Sequence, residues 1–291
     1  MKQIFNQPLT SLYYIKFVIK NIAFLDSKKI FINTQNFFKP EINCYFAETK
    51  SEIKAAQILR YKVFFSERDN KIIKLNFFKK ETDRYDKYSH HLIVTFKRTK
   101  FSQTQVIGTY RLLDQSSAQR HSGFYSENEF NLSKLLRNSG FKNMLELSRS
   151  CIHKKFRNKN ILQLMWKNIH QFIVNNKIDA LFGTASFLET NLFNIESELK
   201  FLNSNFRMPE NIAVEALEHR KVNLREEIDT EQKYSKEIIK KIPTLIKAYL
   251  RLGAYVGDGA VIDHHFKTTD VFVFLPFSRI KETYLKKFSN K

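Results

Sequence analysis

Four short segments carry the residues whose types and spacing suit chemistry. Arg60 and Phe64 lie in LRYKVFF, Asp83 and Asp86 in ETDRYDKYSHHLIV, Arg111 in VIGTYRLL, and Glu146 and Arg149 in ELSRSC. Guanidinium groups grip carboxylates or phosphates through paired N–H donors. Carboxylates hold ammonium groups or take protons. A charge in or beside a buried strand is costly unless it is paired or used. Any one segment reads as a surface ion pair; four together read as a functional set.

The stretch ELSRSCIHKKFRNKN (146–160) adds a second theme. It reads as a strand running into a basic loop, with a helical pattern directly after it. A helix N-terminus preceded by basic side chains is a ready place for a phosphate. Yet the loop from Arg157 to Ile161 has no glycine. Strict alternation puts Glu146, Ser148 and Ser150 on one side of the strand, and Leu147 and Arg149 on the other.

The elements that must position these residues follow from hydrophobic period and turn chemistry. EINCYFAET (41–49) reads as a strand. Residues 50–68 read as a helix with Ser51 as N-cap and Ile53, Ala56, Ile58, Leu59 and Val63 as its apolar face. HHLIVTFKR and QVIGTYRLLD read as two strands, and MLELSRSCI as a fourth. NILQLMWKNIHQFIVNNK is an amphipathic helix with Ile161, Met165, Ile169 and Phe172 at helical spacing. IDALFGTAS and TTDVFVFLP are strands of buried type. Residues 188–240 are charged and read as mostly helical. Pro243 opens and Gly253 closes a further helix. Strands and helices in this order make an α/β (α+β) chain with a mixed central sheet flanked by helices. The reading divides it into a basic, aromatic extension (1–40) and a domain (41–291) carrying a helical insertion at about 188–240.

The chain has 291 residues, 43% hydrophobic and 27% charged, which is globular and long enough for a substantial core. Its formal net charge of +20 favours an anionic partner: nucleic acid, an anionic membrane or an acidic protein. Two cysteines, Cys44 and Cys151, make no disulfide framework, which points to a reducing compartment. No zinc spacing, Walker loop or serine-nucleophile motif is present, so no metal is expected. On a helical wheel, residues 10–25 place Leu12, Ile15, Val18, Ile19, Ile22 and Leu25 in one apolar sector. Lys16 and Lys20 form a basic stripe, as in a helix lying at a bilayer surface or, equally, one packed on the rest of the chain.

The element order and the four segments resemble the GNAT acyltransferase fold. More narrowly, the chain resembles the branch of bacterial L-ornithine N-acyltransferases, which is related to acyl-homoserine lactone synthases. The resemblance runs from about 41 to 281. It rests on VIGTYRLL, ELSRSCIHKKFR, LFGTASF and the tail LIKAYLRLGAYVGDGAVIDHHFKTTDVFVFLP. The equivalents of Arg60, Phe64, Asp83, Asp86, Arg111, Glu146 and Arg149 are signature positions of the lactone synthases. The tryptophan that those enzymes carry between the equivalents of Arg60 and Asp83 is absent here, and the tail is not theirs.

The resemblance implies transfer of a 3-hydroxy fatty acyl group from acyl carrier protein to the α-amine of L-ornithine, giving lyso-ornithine lipid without a cofactor. It implies Glu146 as general base, with Arg60, Phe64, Asp83, Asp86, Arg111 and Arg149 binding the acceptor. Ser148, Ser150, Arg157, Lys159 and Asn160 would hold the donor's phosphopantetheine. GNAT enzymes that bind coenzyme A use a glycine-rich loop for its diphosphate; the loop here suits the single phosphate of acyl carrier protein, an acidic protein that matches a basic chain. The implied location is cytoplasmic, on the inner face of the membrane. The alternatives are a lactone synthase using S-adenosylmethionine and a basic nucleic-acid-binding protein. Scattered basic residues and aromatics in core positions argue against the last.

Overall fold

The computed structural model describes residues 39–68, 79–223 and 236–280. The proposed interfacial helix at 10–25 and most of the 1–40 extension lie outside them. The chain divides into two compact units. In the smaller (Met1–Ile42 with Phe96–Gln105), a turn is closed by Thr99 N–H on Ser102 Oγ at 2.9 Å and Ser102 N–H on Thr99 Oγ1 at 3.2 Å. Every functional candidate lies in the larger, Asn43–Thr95 with Val106–Lys291.

The strands are β1 (Glu41–Phe46), β2 (His90–Lys97), β3 (Gln105–Asp114), β4 (Phe130–Asn131), β5 (Met144–Ile152), β6 (Ala180–Phe187), β7 (Glu215–Ala216), β8 (Tyr255–Val256), β9 (Val261–Asp263) and β10 (Thr268–Pro276). The main sheet runs β1-β2-β3-β5-β6-β10-β8, with β9 also on β10; β4 and β7 pair separately. β3 and β5 are antiparallel, β5 and β6 parallel, and β6 and β10 antiparallel. The mixed sheet is the one expected. Strands β4, β7, β8 and β9 have only two or three residues each, too short to leave a periodic signal.

The N-cap of helix α1 (Lys50–Phe64) lies two residues earlier than expected, at Thr49 and not Ser51. Thr49 Oγ1 accepts the Glu52 N–H at 3.2 Å, and Glu52 returns the bond to the Thr49 N–H at 3.0 Å. Ala56, Leu59, Arg60 and Val63 form the buried face, while Ile58 is exposed. Then come α2 (Gln115–Arg120), α3 (Ser133–Asn138) and α4 (Lys159–Asn175). Ile161, Met165, Trp166, Ile169 and Ile173 bury one face of α4. Helix α5 (Glu196–Asn205), α6 (Lys236–Lys241) and α7 (Thr244–Leu252) follow among the described residues. Among the described residues of 188–240, helix is confined to the 3₁₀ turns Leu192–Asn194 and Glu210–Ile212, to α5 and to α6, so the described part of the expected helical insertion is helical only in part. Pro243 caps α7, and Gly253 ends it at φ +106, in the left-handed region that glycine tolerates.

A core cluster among the described residues packs Phe124, Phe130, Met144, Phe182, Phe272 and Phe274 together. Burial of these rings fixes β5, β6 and β10 against the segment 124–132.

Candidate active site

The site begins with an irregularity in β5. Thr109 of β3 faces Cys151, but Arg111 faces Ser148. Two residues of β5, Arg149 and Ser150, therefore stand opposite the single residue Tyr110. This is a β-bulge. Arg149 takes φ +53, a conformation side chains rarely adopt. The strict alternation expected of this strand fails here. On the other side, β5 and β6 pair only from Met144/Ala180 to Glu146/Phe182. Gly183 comes next: a Cβ there would lie 2.2 Å from the Leu147 carbonyl oxygen. Beyond it the strands part.

A cavity of about 280 Å³ opens at the parting. Leu147, Ser148, Arg149 and Ser150 line it from β5, and Phe182 to Ser186 from β6. Apolar side chains and the buried Tyr110–Tyr249 hydroxyl pair (2.8 Å) form one part of its wall. Phe64, Tyr125, Phe266, Thr268 and Asp270 form another. Of the residues expected at the site, Phe64, Arg149, Ser148 and Ser150 reach this cavity; Glu146, Arg60, Asp83, Asp86 and Arg111 do not line it.

Those five have other work. Arg60, Arg111 and Arg149 join Glu81, Asp83 and Asp86 in a closed ring of alternating charge. Arg60 grips Asp86 twice, Nη1 on Oδ1 at 2.8 Å and Nη2 on Oδ2 at 2.6 Å, and its Nε lies 2.5 Å from Glu81 Oε2. Arg111 Nη1 reaches Asp86 Oδ1 at 3.1 Å and Asp83 Oδ1 at 2.5 Å, while its Nε donates to Ser148 Oγ at 3.0 Å. Arg149 closes the circle with Nη2 on Asp83 Oδ2 at 2.9 Å and Nε on Glu81 Oε1 at 3.0 Å. Each cation touches two anions and each anion two cations. The spacing of Asp83 and Asp86 has a local cause: they form a capping box around the 3₁₀ turn Arg84–Tyr88. Burial alone would raise the Asp86 carboxyl, but the Arg60 hydrogen bonds prevail and hold it well below the usual range. Burial opposes the Arg149 charge, and Tyr125, Glu81 and Asp83 more than offset it. The Arg149 guanidinium also lies over the Tyr125 ring at 4.3 Å and the Phe266 ring at 4.8 Å. The residues expected to grip the acceptor thus pair first with one another; Arg111 Nη2 is buried without a hydrogen-bond partner, and Arg149 also lines the cavity.

Glu146 is fully buried. Its Oε2 accepts the Tyr125 N–H at 2.8 Å, and Oε1 accepts the Ser126 N–H at 2.7 Å and the Ser126 hydroxyl at 2.5 Å. Burial raises its carboxyl, with the Ser126 and Tyr125 bonds pulling the other way. A carboxylate enclosed in this way, off the cavity wall, is a positioning group. It fixes the turn Tyr125–Asn128 and so sets the Tyr125 ring beneath Arg149. The residue expected as general base is thus a carboxylate that already accepts three hydrogen bonds and does not line the cavity.

A second acidic group, not singled out from sequence, lies where that turn leads. Glu129, Asp263 and Asp270 are all buried, and one carboxylate oxygen from each lies within 4.8 Å of the others. Asp270 sits on β10 opposite Ser186 and faces the cavity. Its Oδ1 has no hydrogen-bond partner, nor has Glu129 Oε2. Asp263 Oδ1 accepts the N–H groups of His265 and Phe266 at 2.7 and 2.9 Å, fixing Phe266 against the cavity. Burial, then Asp270 and Asp263, pushes the Glu129 carboxyl up to about 8; burial and Asp263 likewise raise Asp270.

The basic loop precedes α4 as expected, but its donors are partly taken. Asn158 caps the helix, its Oδ1 accepting the N–H groups of Asn160 at 3.0 Å and Ile161 at 3.1 Å. Arg157 pairs with Glu67 and donates Nε to the Ile152 carbonyl at 2.9 Å. Lys154, Lys155 and Lys159 are exposed. Burial pushes the Cys151 thiol up to about 12, which suits packing and not nucleophilic attack.

The sheet is thus opened at a bulge beside a cavity, and a family model described as an acetyltransferase (GNAT) domain matches residues 59–167. The chain is an N-acyltransferase of the GNAT class. An L-ornithine N(alpha)-acyltransferase of Rhizobium meliloti (strain 1021) is 37% identical over 82% of this chain and 81% of its own length. One of Brucella abortus (strain 2308) is 35% identical over 82% of this chain and 85% of its own. The chain belongs to the L-ornithine N(alpha)-acyltransferase family. Among solved structures, an N-acyl amino acid synthase from uncultured soil microbes, FeeM, aligns with a TM-score of 0.49 at 9% identity, over 84% of this chain and 97% of that one. No helix among the described residues is long and apolar enough to cross a membrane.

Proposed function

We propose that this enzyme transfers a fatty acyl group from acyl carrier protein to the α-amine of L-ornithine and so makes lyso-ornithine lipid at the inner face of the membrane. The observation that carries the reading is the cavity at the parting of β5 and β6, whose lining is largely apolar and includes the buried Asp270, one carboxylate of a close trio. An acyl thioester and a cationic amine need those two surroundings. The neutral amine attacks the thioester carbonyl, the C–N bond forms, the C–S bond breaks, and the amine's second proton ends on the thiol. Backbone N–H groups near the bulge are the fitting donors for the oxyanion.

The donor reading rests on the loop and the charge. Coenzyme A brings a diphosphate that calls for bare backbone N–H groups, and Asn158 already occupies two of them. One phosphodiester needs less, and the exposed Lys154, Lys155 and Lys159 can supply it. A net charge of +20 draws an acidic carrier protein.

The test is an assay of purified enzyme with 3-hydroxyacyl carrier protein or the matching acyl-CoA, and L-ornithine. Turnover should prefer the carrier protein, fall with salt, and weaken in Lys159→Glu. Equal efficiency with acyl-CoA, untouched by salt or by the charge reversal, would sink the donor reading. Absence of acylated ornithine with either donor would sink the acceptor reading.

A further inference from the structure

We infer that Glu129, Asp263 and Asp270 form a binding site for the distal ammonium group of a dibasic amino acid, and that this site selects the acceptor. The inference rests on the acceptor reading above and gives it a place in the molecule. Two carboxylate oxygens, Asp270 Oδ1 and Glu129 Oε2, are buried with no hydrogen-bond partner, in residues only 4% and 2% exposed. A buried acceptor without a donor is costly and uncommon. An ammonium group brings three donors and no acceptor, and here three carboxylates converge within 4.8 Å.

Charge points the same way. The neighbouring ring holds three arginines against three acids and leaves no net cation to spare. Arg149, the ring member nearest the trio's end of the cavity, is committed to Glu81 and Asp83. Arg220 comes no closer than 3.8 Å to Glu129 Oε1. The trio therefore has few cations to answer it, and burial first, with the neighbouring carboxylates adding to it, raises the Glu129 and Asp270 carboxyls. Asp270 opens onto the same cavity as the β5–β6 parting. One amine of the acceptor can then meet the thioester while the other is held. The α-amine lies at one end of the amino acid and the distal amine at the other, so the trio also decides which nitrogen is acylated.

The experiment compares L-ornithine with L-norvaline, which has the same carbon skeleton without the distal amine. The wild-type enzyme should favour ornithine in kcat/KM by on the order of 10²-fold or more, because norvaline leaves the buried carboxylates unanswered. In Asp270→Asn and in Glu129→Gln the ornithine-to-norvaline ratio should fall at least about 10-fold. Equal use of both acceptors by the wild type overturns the inference while leaving the ornithine reading intact, and needs no variant to fold. Loss of wild-type activity on chelation, restored by a divalent cation, also overturns it and assigns the trio to a metal. If ornithine is not acylated at all, the functional reading fails instead. Calorimetric titration with the two amino acids then decides the site alone: binding of ornithine but not norvaline, lost in Asp270→Asn, upholds it, and any other pattern overturns it.

Discussion

Arg60 holds Asp86 through two parallel hydrogen bonds of 2.8 and 2.6 Å, with both side chains shut away from solvent. Removing one member of a buried pair strands the other, at a cost of about 3–5 kcal/mol. Arg60→Met should lower the melting temperature by on the order of 10 °C. The folded Asp86 carboxyl titrates below its unfolded counterpart, so its contribution is present above the unfolded value and lost as pH falls through the folded one. The gap between wild type and variant should therefore narrow in acid. Melting curves at pH 7 and pH 3 read this directly, and a gap that widens in acid would contradict the ring.

Gly183 leaves no room for a methyl group, since the obstacle is the Leu147 backbone oxygen and cannot swing aside. Gly183→Ala should push β5 and β6 apart just where the cavity starts. A loss of about 1–3 kcal/mol is expected from such overpacking, with activity falling further than stability because the opening itself is displaced. A variant with unchanged kcat/KM would mean that the spacing of these strands is slack.

Glu146→Gln should act through position, not through a lost base. The amide keeps one acceptor oxygen but turns an N–H group toward donors that need an acceptor. Destabilisation of about 1–3 kcal/mol is expected, together with a raised KM for the acceptor as Tyr125 shifts. The pH–rate profile should keep its shape. If instead turnover collapses in a protein of unchanged stability, and the basic side of the profile moves, Glu146 is the base after all.

Glu129→Gln should stabilise the protein at alkaline pH. The folded carboxyl titrates at about 8, far above an unfolded glutamate. Between those two values the unfolded chain has already lost its proton and the folded one has not. The stability cost of Glu129 therefore grows as pH rises through that window. Asp263, Asp270, Arg149 and Arg220 are the charged groups facing it. Relative to wild type, the variant's melting temperature should rise more at pH 8 than at pH 5. The opposite order would show that a counter-charge already answers Glu129.

Much of the sheet was legible because long strands are uninterrupted apolar runs, and β3, β5 and β10 fall on the residues expected. The charged residues were legible as a set, for burying them without purpose is costly. Their pairing was not. Nothing in the order of residues says that Arg111 meets Asp83 and Asp86 and not a ligand. Glu81, two positions before Asp83, was not among the candidates and is a ring member. The bulge left no trace, since its left-handed residue is Arg149 and not a glycine. Glu129 hid in a polar turn, SENEF. Asp270 was visible in principle: it is the one charge in TTDVFVFLP, a strand buried along its whole length.

The ring of three arginines and three acids also constrains how this enzyme can change over generations. Because each member has two partners, losing any one of them orphans two neighbours at once. No single substitution leads smoothly to an apolar replacement, even where a fully apolar wall would serve as well. The route runs through several less stable intermediates, each of which selection would remove. Such a motif persists through lineages by the depth of the valley around it, whether or not its charges ever touch a substrate.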